Sequence, residues 1–393
     1  MARRFQVVKS DVGVVLIFEV NMQKVNLIDA EMWQGNKTSH PNLAIMKMSS
    51  YYKAQGYDVK LLTDSQDIRT GDIIKISKVF NWTEDPILPP LCYQECKVEV
   101  GGTGYFYDNA PSLPYEIEHS KPDYHLYDEY IKERLITHPH KAHPENYEKF
   151  SIGFLTRGCF RKCSFCVNKK YDKAVVHSPI EEFLDETRPY IRFWDDNFLS
   201  INHKDFLRII DDIINVDKPV VWQQGLDIRL MTEEKADIIS SLRWYKNNWL
   251  FALDCVEDIP KVSIGFQNWI KYVKRNTHIR SMFGKVYVLV GFKGLDIEDI
   301  ESMFKRIKFL SENSLISMPM FYNGTTHINQ SEYHWLYKLV KNWTNPICFG
   351  KQSLMQYATK YRSKLLPHID ELLLQFPHLT QYFYMKYCDL RKV

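Results

Sequence analysis

At 393 residues the chain is too long for one ordinary domain unless that domain is a barrel, and 45% hydrophobic content is ample for a packed core. A net charge of +3 supplies no global field that would call for nucleic acid. Eight cysteines, three of them close together in a loop, suit a reducing compartment better than a disulfide framework, so a cytoplasmic protein is expected.

The N-terminus places two arginines before an apolar run, Val12 to Val20, which is too short to span a membrane and lacks a small-residue cleavage site. Neither a signal peptide nor membrane association is expected. Residues 1–21, ahead of Met22, read either as an extension or as a first strand pairing with the next. Lys24 to Ala30 reads as a strand, Pro41 to Gln55 as a helix closed by Gly56, and Tyr57 to Leu62 and Asp72 to Phe80 as further strands. Ile45, Met48 and Tyr52 share one helix face. This β-α-β-β pattern is part of a nucleotide-binding-type domain, with bounds 1–105. Glu84 to Pro114, with Pro89-Pro90 and Gly101-Gly102-Thr103-Gly104, reads as loops or a junction. Cys92 and Cys96 read as two free thiols, with a metal pair as the alternative. Residues 106–149 read as a linker, and His138, His140 and His143 as solvated members of it.

From Phe150 the pattern becomes regular. Strands are expected at 150–155, 190–194, 219–223, 249–254, 285–290 and 315–320, with helices between them. Phe206, Ile209, Ile210, Ile213 and Ile214 form one apolar stripe, and Ile300, Met303, Phe304 and Ile307 another. Thr232 caps a helix whose first turn carries Glu233 and Glu234. Six β-α units in succession indicate a parallel sheet with right-handed crossovers, here a six-stranded partial (β/α) barrel over 150–325. Residues 326–393 read as a helical C-terminal extension: Trp335 to Trp343, Gln352 to Lys364 and Asp370 to Phe376. It is a helical cap, or a docking surface for an RNA or protein substrate.

The first of these strands runs into Gly158-Cys159-Phe160-Arg161-Lys162-Cys163-Ser164-Phe165-Cys166. Three thiolates on one short loop can hold three irons of a cubic [4Fe-4S] cluster and leave the fourth without a protein ligand. A structural zinc would want a fourth ligand, usually as a second C-x2-C pair, and no such pair exists. The C-x3-C-x2-C spacing, with Phe165 before the last cysteine, resembles the radical S-adenosylmethionine superfamily. FWDDNFL (193–199), GLDIRL (225–230), VLVGF (288–292) and NLAIMKMSSYYKAQGYDVKLL (42–62) resemble segments of members with a cobalamin-binding-type, Rossmann-like N-terminal domain. D-x-H-x-x-G, whose histidine ligates cobalt in such proteins, is absent, and cobalamin is not expected.

The resemblance implies a [4Fe-4S] cluster on Cys159, Cys163 and Cys166, and S-adenosylmethionine on the open iron. It also implies a 5′-deoxyadenosyl radical formed by reductive cleavage, and a barrel whose site lies at the C-terminal strand ends. Polar or glycine residues fall at every such end. Asp195, Asp196 or Asn197 would accept from the cofactor's ammonium. Arg229 and Gln224 would serve its carboxylate and ribose, and Phe165 and the backbone of Gly291 its adenine. Asp227 would contact the cofactor or hold Arg229. Asp254 and Tyr322 are the candidates for substrate chemistry. Arg161, Lys162, Lys169, Lys170 and Lys173 form a basic cluster, either a solvated face or a docking site for a reductase or flavodoxin-type donor. Lys271, Lys274, Arg275 and Arg280 form a second. The substrate class, whether small molecule, RNA or protein, is not legible. The alternative is a non-catalytic Fe-S or zinc-binding scaffold.

Overall fold

The computed structural model describes residues 4–10, 13–19, 23–33, 38–66, 68 and 72–386. Val12, Val20 and Met22, which bound the N-terminal apolar run, lie outside them, as does the end of the extension beyond 386. The chain divides into two compact units, Met1–Phe150 and Ser151–Val393.

In the first unit β1 (Arg4–Ser10) and β2 (Gly13–Glu19) pair antiparallel with each other, in a two-stranded sheet of their own. The main sheet contains β3 (Lys24–Asp29), β4 (Asp58–Leu62), β5 (Ile73–Ser77) and β6 (Lys97–Gly101). All its pairings are parallel and its order is β4-β3-β5-β6, so the winding direction reverses between β3 and β5. Helix α1 (Leu43–Ala54) starts at Asn42, whose side chain accepts from the Ile45 N–H, and ends before Gly56 at φ +80°. It buries Ile45 and Met48 against Val25 and Leu27.

Strand β6 lies where loops were expected. Its Lys-Val-Glu-Val alternation is too short to stand out between the flanking prolines and glycines, and pairing with β5 supplies the remainder. Gly102, at φ +100°, is required next to it: a Cβ there would sit 2.2 Å from the Lys78 carbonyl oxygen. Residues 106–149 do not behave as a linker. Tyr124, Tyr127, Tyr130, Ile131 and Tyr147 are buried with Met32 and Met46 in one cluster, and α2 (Asp128–Thr137) carries two of them, Tyr130 and Ile131. His138, His140 and His143 are exposed. Cys92 is buried on a short helix in the sheet's other core, and neither Cys92 nor Cys96 is in a disulfide.

The second unit is α/β. Its main strands are β7 (Phe150–Gly153), β10 (Tyr190–Phe193), β11 (Val220–Trp222), β12 (Leu250–Ala252), β13 (Lys285–Val290) and β14 (Ile316–Phe321). They correspond to the six expected positions. Two three-stranded sheets result, β11-β10-β7 and β12-β13-β14, with strands in chain order. A parallel bridge between Leu226 and Phe251, with the Leu226 N–H donating to the Leu250 carbonyl at 2.8 Å, joins the two. The crossovers are α3 (His203–Val216), α4 (Glu233–Ser241), α5 (Ile259–Asn276) and α6 (Ile297–Glu312). Each of α3, α4 and α6 opens on a side-chain cap, Asn202, Thr232 and Asp296 respectively.

Phe206, Ile209, Ile210 and Ile213 of α3 are buried, but Ile214, expected in the same stripe, is exposed. It falls two residues before the helix end, where Asp217 turns left-handed and the packing face has rotated away. Gly265 lets α5 approach the chain at Ile228, where a Cβ would lie 1.9 Å from the carbonyl oxygen. The C-terminal helices α7 (His334–Trp343), α8 (Leu354–Tyr361) and α9 (Leu366–Gln375) share the core of this unit. Phe304 of α6 stacks on Tyr382 at 5.1 Å. Among the described residues no helix is long and apolar enough to cross a membrane.

Candidate active site

The cysteine loop leaves β7 through β8 (Thr156–Arg157) and returns through β9 (Val175–Val176), which pair antiparallel. This two-rung ladder closes the base of the loop. Gly158 sits at φ +96°, and a Cβ there would lie 2.4 Å from the Lys173 carbonyl oxygen, so glycine is required. The loop's own lysine staples it. Lys162 Nζ donates to the carbonyls of Lys169 (2.6 Å) and Tyr171 (2.7 Å) and pairs with Asp172 at 2.9 Å. The basic cluster beside the cysteines is therefore partly internal scaffolding.

The residues after β10 divide their work. Asp195 is buried, 2% exposed. Its Oδ1 accepts from the Thr156 N–H (2.6 Å) and hydroxyl (3.1 Å), and its Oδ2 from Trp222 Nε1 at 3.0 Å. Burial pushes its carboxyl up to about 7 against those hydrogen bonds. All of these partners lie within the fold, so Asp195 holds the root of the cysteine loop. Asp196 holds its two sides, accepting from the Gly158 N–H and from Asn168 Nδ2, each at 2.6 Å. Asn197 reaches the sulfur itself: Nδ2 donates to Cys159 Sγ at 3.2 Å and to Asp227 Oδ2 at 3.3 Å. It is 4% exposed, and its Oδ1 has no hydrogen-bond partner.

Asp227, after β11, is the hub. Oδ2 accepts from Arg161 Nε of the cysteine loop at 2.6 Å, and Oδ1 from Arg229 Nε at 2.7 Å. Burial raises its carboxyl, but the hydrogen bonds and charges of Arg229 and Arg161 outweigh burial and hold it below the usual range. Arg229 is held a second time by Asp258 at 2.8 Å. Gln224 lies exposed.

Burial raises the Asp254 carboxyl to about 6, partly countered by Arg306. Arg306, 1% exposed on α6, donates to the carbonyls of Asp254 (2.8 Å) and Leu289 (2.7 Å), tying together the ends of β12 and β13. At Gly291 (φ +77°) the N–H donates to Asp299 at 2.8 Å, and His327 Nε2 lies 2.8 Å from the carbonyl oxygen. That N–H is engaged, which leaves the carbonyl's second lone pair for an outside donor. Phe165 packs edge-on to Phe292 at 5.4 Å, and Phe292 to Tyr322 at 5.0 Å, so an aromatic wall runs from the cysteine loop to the end of β14.

Two N–H groups besides that of Asn197 point at sulfur: Arg161 N to Cys159 Sγ (3.4 Å) and Asn168 N to Cys166 Sγ (3.3 Å). Burial pushes the thiols of Cys163 and Cys166 up, and the charge of a neighbouring cysteine adds to it, Cys166 for the first and Cys159 for the second. Among the described residues no three His, Cys, Asp or Glu side chains converge on one metal ion. A tetrahedral zinc at about 2.3 Å from each sulfur would draw its sulfurs to within roughly 3.8 Å of one another. Cys159, Cys163 and Cys166 thus share one short loop, and N–H donors reach the sulfurs of two of them, Cys159 and Cys166.

Sequence reading named Cys159, Asn197, Asp227 and Arg229, which a run of hydrogen bonds links, Cys163 and Cys166 on the same loop, and Phe165 and Tyr322, which both pack on Phe292. It missed Thr156, Asn168, Trp222, Asp258, Phe292 as a contact, and Arg306. None of these carries a spacing signal, apart from the place of Phe292 directly after Gly291.

No family model matches the chain, and no curated protein matches it. It is similar in structure to the cobalamin-dependent S-adenosylmethionine radical enzyme OxsB. The form with aqua-cobalamin and S-adenosylmethionine bound matches at 14% identity and a TM-score of 0.43, covering 82% of this chain and 56% of that one. The form with aqua-cobalamin bound matches at 12% identity and a TM-score of 0.33, covering 86% and 59%. The chain thus spans somewhat more than half the length of the solved chains it matches.

Proposed function

We propose that this chain is a radical S-adenosylmethionine enzyme, with a [4Fe-4S] cluster on Cys159, Cys163 and Cys166 and the cofactor on the iron these leave open. Bound there, the pair supplies a one-electron route from a sulfonium to a carbon radical that takes hydrogen from a substrate. The observation that carries the reading is the clamped loop, in which the sulfurs of Cys159 and Cys166 receive N–H donors from the loop itself and, at Cys159, from the residue after β10.

The chain's own residues have distinct tasks. Asp195 and Asp196 hold the loop. Asn197 Oδ1, buried and without a partner, is an acceptor poised for the cofactor's ammonium. Arg229, fixed by Asp227 and Asp258, presents its remaining donors to a carboxylate or ribose. Phe165, Phe292 and Tyr322 exclude water from one side, as a carbon radical requires. The two three-stranded sheets close part-way as one six-stranded barrel, with these groups at its C-terminal rim. Asp254 and Tyr322 face the substrate, whose class is open. A reductase or flavodoxin-type donor supplies the electron. With no D-x-H-x-x-G motif, the first unit is read as lacking cobalamin.

The test is anaerobic reconstitution with iron and sulfide, then S-adenosylmethionine and dithionite, with 5′-deoxyadenosine as the readout. A [4Fe-4S] spectrum with product is expected, and both should be lost in Cys163→Ala. Tightly bound zinc with no iron chromophore would overturn the reading in favour of a zinc-binding scaffold.

A further inference from the structure

The three sulfurs are not hydrogen-bonded alike. Cys159 Sγ receives two donors, Arg161 N and Asn197 Nδ2, and Cys166 Sγ receives one, Asn168 N. Both donors from the loop are main-chain groups that follow their cysteine by two residues. Asn197 is a side-chain donor from another element, held in place by its burial and its second bond to Asp227. Donation to a thiolate favours the more negative state of whatever metal the thiolate holds.

Resting on the function proposed above, we propose that Asn197 is a positioning residue that sets the reduction potential of the cluster through Cys159. It raises that potential by donating to the sulfur, and so lets a mild biological reductant load the electron. Asp227 works against it. A carboxylate beside the same sulfur lowers the potential, and Arg161 and Arg229 neutralise that carboxylate. The amide of Asn197 stands between the two anionic groups and donates to both.

The experiment is a redox titration of the reconstituted full chain, followed by electron paramagnetic resonance, with iron and sulfide counted per chain. In Asn197→Ala the ratio of reduced to oxidised cluster at a fixed potential is expected to fall about five- to tenfold. Tenfold corresponds to about 59 mV for a one-electron couple. Asn168→Ala is the control. It cuts the side-chain tie to Asp196 and so loosens the loop, but its main-chain donor to Cys166 survives. It should leave the ratio within about twofold of the parent. Asn197→Gln, which keeps an amide, should recover part of the loss.

An unchanged ratio in Asn197→Ala, or an equal fall in Asn168→Ala, overturns the assignment. Failure of the parent chain to take up any cluster would instead overturn the proposed function, so the two failures are told apart by iron content.

Discussion

Replacing Asp195 with alanine removes the acceptor for three donors at the root of the cysteine loop. The Thr156 N–H and Trp222 Nε1–H cannot turn elsewhere, since Thr156 is 0% and Trp222 1% exposed. An orphaned buried donor costs about 1–3 kcal/mol, so the pair costs about 2–6 kcal/mol. The acid also titrates differently in the fold. Its carboxyl moves from 3.8 to about 7 on burial, so between those values the folded chain holds a proton that the unfolded chain has lost. Stability from this group is full below pH 3.8 and falls as pH rises through 7. The loss is at most about 4 kcal/mol, at 1.36 kcal/mol per pH unit.

The cost of Asp195→Ala should therefore be larger at pH 5 than at pH 8. Urea denaturation followed by tryptophan fluorescence, at both values, measures it. A cost below 1 kcal/mol at pH 5 would refute the orphaned-donor reasoning. A cost that grows with pH would show that the three donors outweigh burial and hold the ionised form.

Gly158→Ala must distort the loop base, through its left-handed backbone and the 2.4 Å approach to the Lys173 carbonyl. About 1–3 kcal/mol of stability and most of the iron uptake should be lost, read by thermal shift and iron count. Gly265→Ala should push α5 off the Ile228 backbone and cost about 2 kcal/mol or more, with iron uptake unchanged; no loss of stability would contradict the close approach. Asp227→Asn should keep the fold but release Arg161 and Arg229. S-adenosylmethionine binding, by equilibrium dialysis on the reconstituted chain, should weaken about tenfold or more, because charged hydrogen bonds are worth about 1.5–3 kcal/mol. Undiminished binding would remove Arg229 from the cofactor site.

Much of this was written in local pattern. The six strand positions of the second unit follow from apolar runs between amphipathic helices, and Thr232, with Glu233 and Glu234 after it, announces a helix start by residue type alone. The cysteine spacing places three sulfurs on one loop whatever the fold around it. Where pattern failed, a partner far along the chain was responsible. Strand β6 exists because β5 pairs with it, and residues 106–149 are ordered because four tyrosines find Met32 and Met46. Ile214 satisfies the helical period but lies beyond the contact face.

Within the site, sequence alone determined which chemical groups stand at the strand ends. It could not rank Asp195, Asp196 and Asn197, which are adjacent and equally polar. Tertiary structure sent the first to Thr156 and Trp222, the second to the two sides of the loop, and the third to sulfur. The reason is physical. Residue type and spacing act through neighbours along the chain, whereas burial and the donors that meet a buried oxygen are set by elements some thirty residues away, which no local period records.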